Sequence, residues 1–308
     1  YAMFQQGEAL SIDWDSLPPN VQQEILNDPA QKENLVIAKA GTETRYVCMD
    51  VTKPPFDDVR VRKAFAMSID RETLCRDVGK GRFLPNWSIV PVGFPFYQGD
   101  KLKPLQDYDP EKAKQLMADA GYPDGKGFPQ MTFFVRQDTP FFPEAMVAMW
   151  QENLGVKLDI VGFDRTTFME KMLAHNFQLY QLAYNADYPD PANFLTLWLT
   201  TTKRHEWTNA QYDDLINKSM VATDPDARAK LLLDAETIML DEVGVMPLAT
   251  PVPATLQKPW VTSKCKQIIL SGKGYGGFRG YGTVMFDQQY YRNDLEKGWP
   301  PIDPSDLA

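Results

Sequence analysis

The sequence predicts an α/β fold built on βαβ units, with less regular segments on either side. Strand-like and helix-like segments alternate between residues 131 and 184, capping residues mark several helix ends, and 44% of the 308 residues are hydrophobic. Together with a 12% share of aromatic residues, that apolar content excludes an intrinsically disordered chain. The length is sufficient for about two domains.

The alternating segment is the strongest indication of the fold. Apolar or alternating runs predict three strands, and apolar residues at helical spacing predict two helices between them. In chain order these are a strand at Met131–Val135, a helix at Pro143–Leu154, a strand at Val156–Val161, a helix at Thr166–His175 and a strand at Gln178–Tyr184. This order is typical of parallel strands joined by right-handed helical crossovers.

Capping signals predict further helices outside this segment. Asp109 is suited to begin a helix and Gly121 to end it, since the first offers a side-chain acceptor and the second tolerates a left-handed backbone. Asp224 precedes a second predicted helix, which extends to Val243. A shorter helix is predicted around Val21–Leu26.

The segment Lys53–Arg71 is predicted to be scaffold. Asp57 is suited to cap one helix and Asp70 the next. Arg60 and Arg62 alternate with acidic and apolar residues, a pattern more typical of a solvated helical face than of an anion-binding site.

The charge balance restricts the possible partners. The chain has 32 Lys and Arg against 41 Asp and Glu, a formal net charge of −9. This argues against nucleic acid or an anionic membrane surface as a partner, because both require clustered cations. The apolar runs are shorter than the roughly 18 residues that a membrane-spanning helix needs.

The side chains most often used in catalysis and metal binding are scarce. His175 and His205 are the two histidines; the first is predicted to end a helix and the second to lie in a solvated loop. Cys48, Cys75 and Cys265 are odd in number and widely spaced, so they are predicted to be small buried hydrophobic residues. The sequence therefore predicts no enzyme, no cofactor and no metal site.

The loop after the third predicted strand is the best candidate for ligand binding. It should lie at the carboxyl ends of the parallel strands, where open α/β sheets bind their ligands. It carries Asp187 and Asp190 beside Tyr184 and Tyr188, a combination that can hold an ammonium group through charge-assisted hydrogen bonds. The alternative is that both aspartates cap the turn and a following helix at Ala192–Leu199, and the pattern alone leaves both interpretations open.

Five segments together resemble the family 5 extracellular solute-binding proteins of ABC importers, the dipeptide- and oligopeptide-binding group. They occur in the order typical of that family over most of residues 45–250. The segments are the PPF-DD-VR-VR-ID-R element at Lys53–Arg71, the YDPEKAKQL element at Asp109–Gly121, the LG-V strand at Leu154–Leu158, the ADYPDP loop at Ala186–Pro191 and the long helix and strand at Asp224–Pro247.

This resemblance implies a periplasmic-binding-protein-like lobe with flanking segments of a second, incomplete lobe. Residues 1–44 would be the last piece of the first lobe, residues 45–255 the second lobe and residues 256–308 the return to the first. The chain would then be the C-terminal portion of a longer, monomeric protein that binds peptides and delivers them to membrane permease subunits. Its location would be extracytoplasmic, either periplasmic or lipid-anchored on the outer face of the membrane.

The resemblance also implies roles for individual residues. In peptide-binding members an aspartate at the position of Asp187 pairs with the α-ammonium of the peptide, and Tyr184 and Asn185 would face the ligand. Gln181 stands where some members have an arginine that contacts the ligand carboxylate, so Arg136 is predicted to take that role.

The family is broad, and other ligands and functions stay open. Within the family, the alternatives are an oligosaccharide or a nickel or other metal-chelate ligand. Trp198 and Trp207 follow the candidate loop and could line a pocket for such a ligand, although core positions are favoured. An alternative of a different class is a catalytic α/β domain such as a peptidase, which would share the architecture alone.

Overall fold

The computed structural model describes residues 1–37, 41–80, 82–138, 141–252, 254–258, 261–263 and 289–291. Their contacts divide the chain into two units. One unit comprises the described residues of 1–42 and of 252–308, and the other comprises the described residues of 43–251. The domain bounds expected from the resemblance stay a prediction.

The described strands belong to three sheets. They are β1 (Ser11–Asp13), β2 (Leu35–Ile37), β3 (Glu43–Met49), β4 (Phe83–Pro85), β5 (Met131–Arg136), β6 (Leu158–Phe163), β7 (Leu179–Asn185), β8 (Met246–Pro251), β9 (Ala254–Gln257), β10 (Val261–Ser263) and β11 (Gln289–Tyr291).

The described helices vary from short single turns to a helix of 17 residues. They are α1 (Ala2–Gln5), α2 (Pro19–Asn27), α3 (Pro29–Lys32), α4 (Val59–Met67), α5 (Arg71–Thr73), α6 (Gly99–Gln106), α7 (Pro110–Asp119), α8 (Pro143–Leu154), α9 (Arg165–Leu173), α10 (Ala192–Leu195), α11 (Ala210–Val221) and α12 (Pro225–Asp241). Within the part of the chain that the structure describes, no helix combines the length and the apolar character that a membrane crossing requires.

The larger unit is built on a six-stranded mixed sheet in the order β4-β8-β3-β7-β5-β6. Strand β5 runs parallel to both β6 and β7, with α8 and α9 as the crossovers. This confirms the predicted βαβ units and the α/β class. Strand β3 lies antiparallel to β7 and β8, so the parallel segment forms one half of the sheet.

One face of this sheet packs against helices in a continuous apolar core. Phe65 of α4, Phe133 of β5 and Trp150 of α8 are fully buried and make ring contacts at about 5.2–5.3 Å. The indole N–H of Trp150 donates to the Phe65 carbonyl at 3.0 Å, so its one polar atom is satisfied. Cys75 also lies in this core, as predicted, whereas Cys265 is outside the described residues.

The smaller unit has its own core. Strand β9 lies between β1 and β2 in an antiparallel sheet. Buried Phe4, Trp14 and Ile25 pack with Leu256 of β9. The predicted helix at Val21–Leu26 is confirmed within α2.

The predicted helix starts are mostly confirmed, with one correction. Asp109, Asp70 and Asp224 each accept a hydrogen bond from the first turn of the expected helix. The prediction that Asp57 caps the next helix is wrong, because Asp58 accepts from the Arg60 N–H at 2.8 Å. The two adjacent aspartates offer the same chemistry, and the register of the helix decides between them.

Some predicted helices end early because the backbone turns left-handed. Helix α9 ends at Leu173 rather than at the predicted His175, whose φ is 56°. Helix α12 ends at Asp241, and Val243 has a φ of 47°. The helix predicted at residues 192–199 is a single turn, α10, followed by short 3-10 turns.

The prediction that His205 lies in a solvated loop is wrong. Its side chain is 6% exposed and stacks on Trp198 with 4.5 Å between the ring centroids. The charged neighbours of His205 in the sequence indicated a solvent-exposed side chain, but aromatic residues from other segments of the chain enclose its imidazole. Trp198 and Trp207 are buried, which agrees with core positions.

Candidate ligand-binding site

The candidate loop, residues 186–191, follows β7 directly. Because β7 is parallel to β5, the loop leaves the sheet at the carboxyl ends of the parallel strands, as predicted. Ala186 is buried and anchors the start of the loop, whereas Asp187, Tyr188 and Pro189 are exposed. The loop therefore presents polar and aromatic groups to solvent at the edge where open α/β sheets bind ligands.

Asp187 is held in place by neutral groups. The Tyr184 hydroxyl donates to Asp187 Oδ2 at 2.8 Å, and the Asp187 backbone N–H donates to Asn193 Oδ1 at 2.7 Å. Asn193 is 6% exposed and lies in α10, so this contact fixes the loop to a buried residue. No cationic side chain of the described residues pairs with the Asp187 carboxylate.

Burial together with the Asp187 contact changes the acidity of Tyr184. Desolvation, and then the hydrogen bond to Asp187, raise the pKa of Tyr184 to about 12. The phenol therefore stays protonated at neutral pH and acts as a donor to the carboxylate. The result is an exposed carboxylate that has a fixed direction and no compensating charge among the described residues, a combination suited to bind a cation.

Asp190, three residues later, has a different environment. Arg228 of α12 donates to both of its carboxylate oxygens, at 2.8 and 2.7 Å. The Ala192 N–H donates to Oδ1 at 2.8 Å, so Asp190 also caps the following turn. Burial acts to raise the pKa of Asp190, but these hydrogen bonds outweigh it and the pKa is lowered. The capping interpretation therefore holds for Asp190 and not for Asp187.

The other predicted site residues lie around the same edge of the sheet. Tyr184 and Asn185 are adjacent in β7, so their side chains project to opposite faces. Arg136, at the end of β5, donates to both oxygens of Asp138, at 3.0 and 2.6 Å. The assignment of these residues to ligand contacts stays a prediction.

Gln181 is fully buried within the sheet. It lies opposite Val47, a member of the apolar core, and so projects to the face away from Tyr184. Neither polar atom of its side chain has a hydrogen-bond partner among the described residues.

Sequence reasoning missed a cluster of polar and aromatic side chains next to Tyr184. We call it the Arg204 cluster, and its members are Tyr46, Tyr184, Trp198, Arg204 and His205. The ring centroids of Tyr46 and Trp198 are 5.5 Å apart, and the Arg204 guanidinium lies 6.0 Å from the centre of the Tyr184 ring. The only local signal was the charge of the 203–206 segment, which indicated a solvated loop.

A contact between Cys48 and His205 resembles the nucleophile and base of a hydrolase. Cys48 Sγ and His205 Nδ1 are 3.6 Å apart, and the Tyr180 hydroxyl is 3.2 Å from the same nitrogen. However, Cys48 is 1% exposed, burial raises the pKa of its thiol, and burial lowers the pKa of His205 to about 3. A reactive cysteine needs an accessible thiolate, so this arrangement is suited to packing rather than to catalysis.

A cavity of about 580 Å³ opens on the Arg228 side of the loop. Its walls include Phe96, Tyr188, Met220 and the ion pair of Asp190 with Arg228. Asp187 does not line this cavity. Among the described residues, no group of three or more His, Cys, Asp or Glu side chains is arranged to hold a metal ion.

Comparison with known proteins identifies the family. Residues 1–206 match the family model described as bacterial extracellular solute-binding proteins, family 5 Middle. The chain belongs to this family. The resemblance found in the sequence motifs is thereby confirmed.

The similar proteins include several that are named for their ligands. The chain is 25% identical to the oligopeptide-binding protein OppA of Bacillus subtilis over 285 residues, 90% of this chain and 51% of that protein. It is 28% identical to the heme-binding protein A of Haemophilus influenzae over 296 residues, 91% of this chain and 51% of that protein. The chain thus spans about half the length of these relatives.

The fold agrees with solved structures of similar proteins. The unliganded open form of the murein tripeptide binding protein MppA matches with a TM-score of 0.72 at 24% identity, covering 94% of this chain and 54% of that chain. At this level of identity the likeness shows the fold alone. It confirms the predicted periplasmic-binding-protein-like architecture.

Proposed function

We propose that this chain belongs to the ligand-binding component of an ABC importer. It binds di- or oligopeptides outside the cytoplasm and delivers them to permease subunits in the membrane. The binding event is a change of occupancy and conformation, and no bond of the ligand is made or broken. The protein acts as a monomer.

The observation that carries this proposal is the environment of Asp187. Its carboxylate is exposed, is oriented by Tyr184 and Asn193, and has no cationic partner among the described residues. An α-ammonium supplies the missing charge and donates up to three hydrogen bonds. The names of relatives such as the oligopeptide-binding protein OppA support a peptide as the carrier of that ammonium.

The remaining predicted residues take supporting roles in this proposal. Tyr184 orients Asp187 and contacts the ligand, and Asn185 contacts the ligand through its backbone. Arg136 contacts the ligand carboxylate only if Asp138 releases it. A non-enzymatic role is supported by the burial of Cys48 and His205, which keeps their contact away from any substrate.

The proposal is tested by calorimetric titration of the full-length gene product with peptides of two to six residues, each paired with its N-acetylated form. Breaking one side of a desolvated ion pair costs about 2–5 kcal/mol, so acetylation should weaken binding by roughly 30-fold or more. Equal affinity for free and acetylated peptides would contradict the ammonium site. No binding of any peptide would contradict the peptide as ligand.

Hemin is included in the same titration as the second candidate ligand. The similarity to the heme-binding protein A of Haemophilus influenzae is the observation that favours it. Hemin lacks an amine, so it leaves Asp187 without a partner. If the protein binds hemin tightly and binds no peptide, its ligand is a metal chelate and not a peptide.

A further inference from the structure

The cavity on the Arg228 side of the candidate loop is lined mainly by apolar side chains. Its volume is about 580 Å³, and its lining residues come from the loop, from α10 and from the turn that joins α11 to α12. Tyr188, Ala192, Met220 and Pro225 are among them. Concave sites of roughly 300–1,000 Å³ with apolar walls are typical of binding sites.

The rim of this cavity exposes large apolar side chains. Tyr188 is 43% exposed and Met220 is 54% exposed. Val221, whose two neighbours in the chain line the cavity, is 78% exposed. We call these three residues the Met220 patch. Grouped apolar side chains at the surface mark interaction sites, and Tyr and Met are enriched in protein interfaces.

The charged groups in the cavity wall neutralise each other. Both terminal nitrogens of Arg228 donate to Asp190, and Arg228 Nε donates to the Ser219 carbonyl at 3.0 Å. The guanidinium carbon lies 5.2 Å from the centre of the Phe96 ring. The wall therefore offers no uncompensated charge to a small ionic ligand, and it is better suited to an apolar side chain of a larger partner.

The surface beside the cavity is acidic. Asp224 and Asp226 stand on either side of the lining residue Pro225, both are exposed, and neither forms an ion pair with a described residue. The lysines of α11 and α12, Lys218 and Lys230, are each paired with an aspartate of the same helix. The apolar cavity is therefore bordered by two negative charges that no described lysine or arginine compensates.

This charge distribution restricts what can cover the patch. An anionic lipid surface would be repelled by the two aspartates. In a symmetric dimer of this chain the same aspartates would face each other, because both copies use the same surface. The complementary partner is a protein segment that carries an apolar side chain next to a lysine or arginine.

The cavity and the candidate ligand site share one short loop. Tyr188 and Asp190 line the cavity, whereas Asp187 does not and precedes Tyr188 directly in the chain. A partner seated in the cavity would therefore contact the same loop that carries the proposed ligand-binding carboxylate. The permease is the partner for which such a contact is useful, because it has to distinguish the loaded binding component from the empty one.

We propose that the Met220 patch and its cavity dock an extracytoplasmic segment of the permease. The segment places an apolar side chain in the cavity and a lysine or arginine against Asp224 and Asp226. This proposal rests on the proposed function and adds the surface through which the binding component meets its membrane partner.

The test measures ATP hydrolysis by the cognate permease complex in lipid nanodiscs. The full-length gene product, loaded with a peptide that it binds in the titration described above, is added at increasing concentration. The concentration that gives half-maximal stimulation reports docking, and calorimetric titration of each variant with the same peptide reports ligand binding separately.

The deciding variant is Met220→Ser, with Leu173→Ser as the matched control. Leu173 is 53% exposed, close to the value for Met220, and does not line the cavity. About half of the Met220 side chain is left for a partner to bury, so Met220→Ser should raise the half-maximal concentration by about fourfold to tenfold. Peptide affinity should stay unchanged, and Leu173→Ser should match the wild type in both measurements.

A second variant tests the charges without relying on the apolar contact. Asp224→Asn combined with Asp226→Asn removes both charges and keeps a side chain that can cap α12. The half-maximal concentration of the wild type should rise between about 50 mM and about 300 mM NaCl, because salt screens the contact with a basic partner. The double variant should show a smaller rise.

Four results would overturn the proposal. Equal stimulation by Met220→Ser and the wild type would remove the patch from the docking surface while leaving peptide binding intact. A loss of peptide affinity in Met220→Ser that accounts for its weaker stimulation would assign the cavity to the ligand. Equal binding of the wild type to nanodiscs without permease would assign the patch to a lipid surface. If the wild type binds no peptide, the proposed function fails together with this inference.

Discussion

Asp187 and Asp190 are three residues apart in one loop, yet their surroundings are opposite. Asp190 is neutralised by a bidentate contact with Arg228 and also caps a turn. Asp187 is exposed, receives a hydrogen bond from the neutral Tyr184, and has no cationic partner among the described residues. One aspartate thus stabilises the loop through internal contacts, whereas the carboxylate of the other stays accessible to a ligand.

Under the proposed function, this difference separates the residues that stabilise the loop from the one that binds the ligand. The Asp190 side of the loop uses its charges internally, so a ligand would have to displace Arg228 to reach that carboxylate. The Asp187 side keeps a carboxylate oriented but uncompensated, which costs little while the group is solvated. Ligand binding then gains a charge-assisted contact without breaking one.

The largest expected effect is the loss of peptide affinity in Asp187→Asn. The asparagine keeps the shape and removes the charge, so affinity for free peptides should fall roughly 30-fold or more, following the 2–5 kcal/mol of a broken ion pair. The midpoint of thermal unfolding should hardly change, because the carboxylate is exposed. Titration calorimetry and a thermal melt check the two parts. Unchanged affinity would contradict the assignment of Asp187 to ligand binding.

Glu236 extends the comparison to an acid that is buried and has no cationic partner among the described residues. It accepts hydrogen bonds from the Ser88 hydroxyl at 2.7 Å and the Ile89 N–H at 2.8 Å. Burial raises the pKa of Glu236 from 4.5 to about 7 despite these donors. Since the folded pKa is the higher one, this contribution to stability is complete below pH 4.5 and is lost as the pH rises through about 7.

The variant Glu236→Gln removes this titration. Relative to the variant, the wild type should lose on the order of 2–3 kcal/mol of unfolding free energy between pH 4.5 and pH 7.5. Denaturant unfolding of both proteins at several pH values measures the difference. Parallel pH profiles would show that Glu236 titrates normally in the folded protein.

A smaller effect is expected from Asp190→Asn. The Asp190 and Arg228 side chains are 31% and 16% exposed, so solvent screens the pair in part. We expect the unfolding free energy to decrease by roughly 1–2 kcal/mol, with a smaller loss of peptide affinity than in Asp187→Asn. A cycle with Arg228→Gln measures the coupling. If Asp190→Asn lost as much peptide affinity as Asp187→Asn, the two aspartates would not have the separate roles described above.

The sequence predicted those parts of the fold that depend on local patterns. The strands and helices between residues 131 and 185 follow from apolar spacing, and the starts of α7 and α12 follow from the caps Asp109 and Asp224. The choice between Asp57 and Asp58 as a cap, and the early end of α9, depend on backbone geometry that neighbouring residues do not determine. The strand order of the mixed sheet could not be predicted from local sequence patterns, because the paired strands β3 and β8 are about two hundred residues apart in the chain.

The candidate site was predictable in part. The position of Asp187 at the end of a parallel strand followed from the βαβ pattern and the loop motif. The partner that distinguishes Asp190 from Asp187 comes from a distant segment, since Arg228 lies in α12. Such contacts depend on tertiary packing, so His205 and Arg204 appeared solvated from their neighbours alone.

The most direct test of the account is a four-way titration of the full-length gene product. The wild type and Asp187→Asn are each titrated with one peptide that the wild type binds and with its N-acetylated form. If the ammonium binds Asp187, acetylation should cost the wild type roughly 30-fold or more and should cost Asp187→Asn almost nothing. An equal cost of acetylation in both proteins would contradict the assignment of Asp187 to the ammonium.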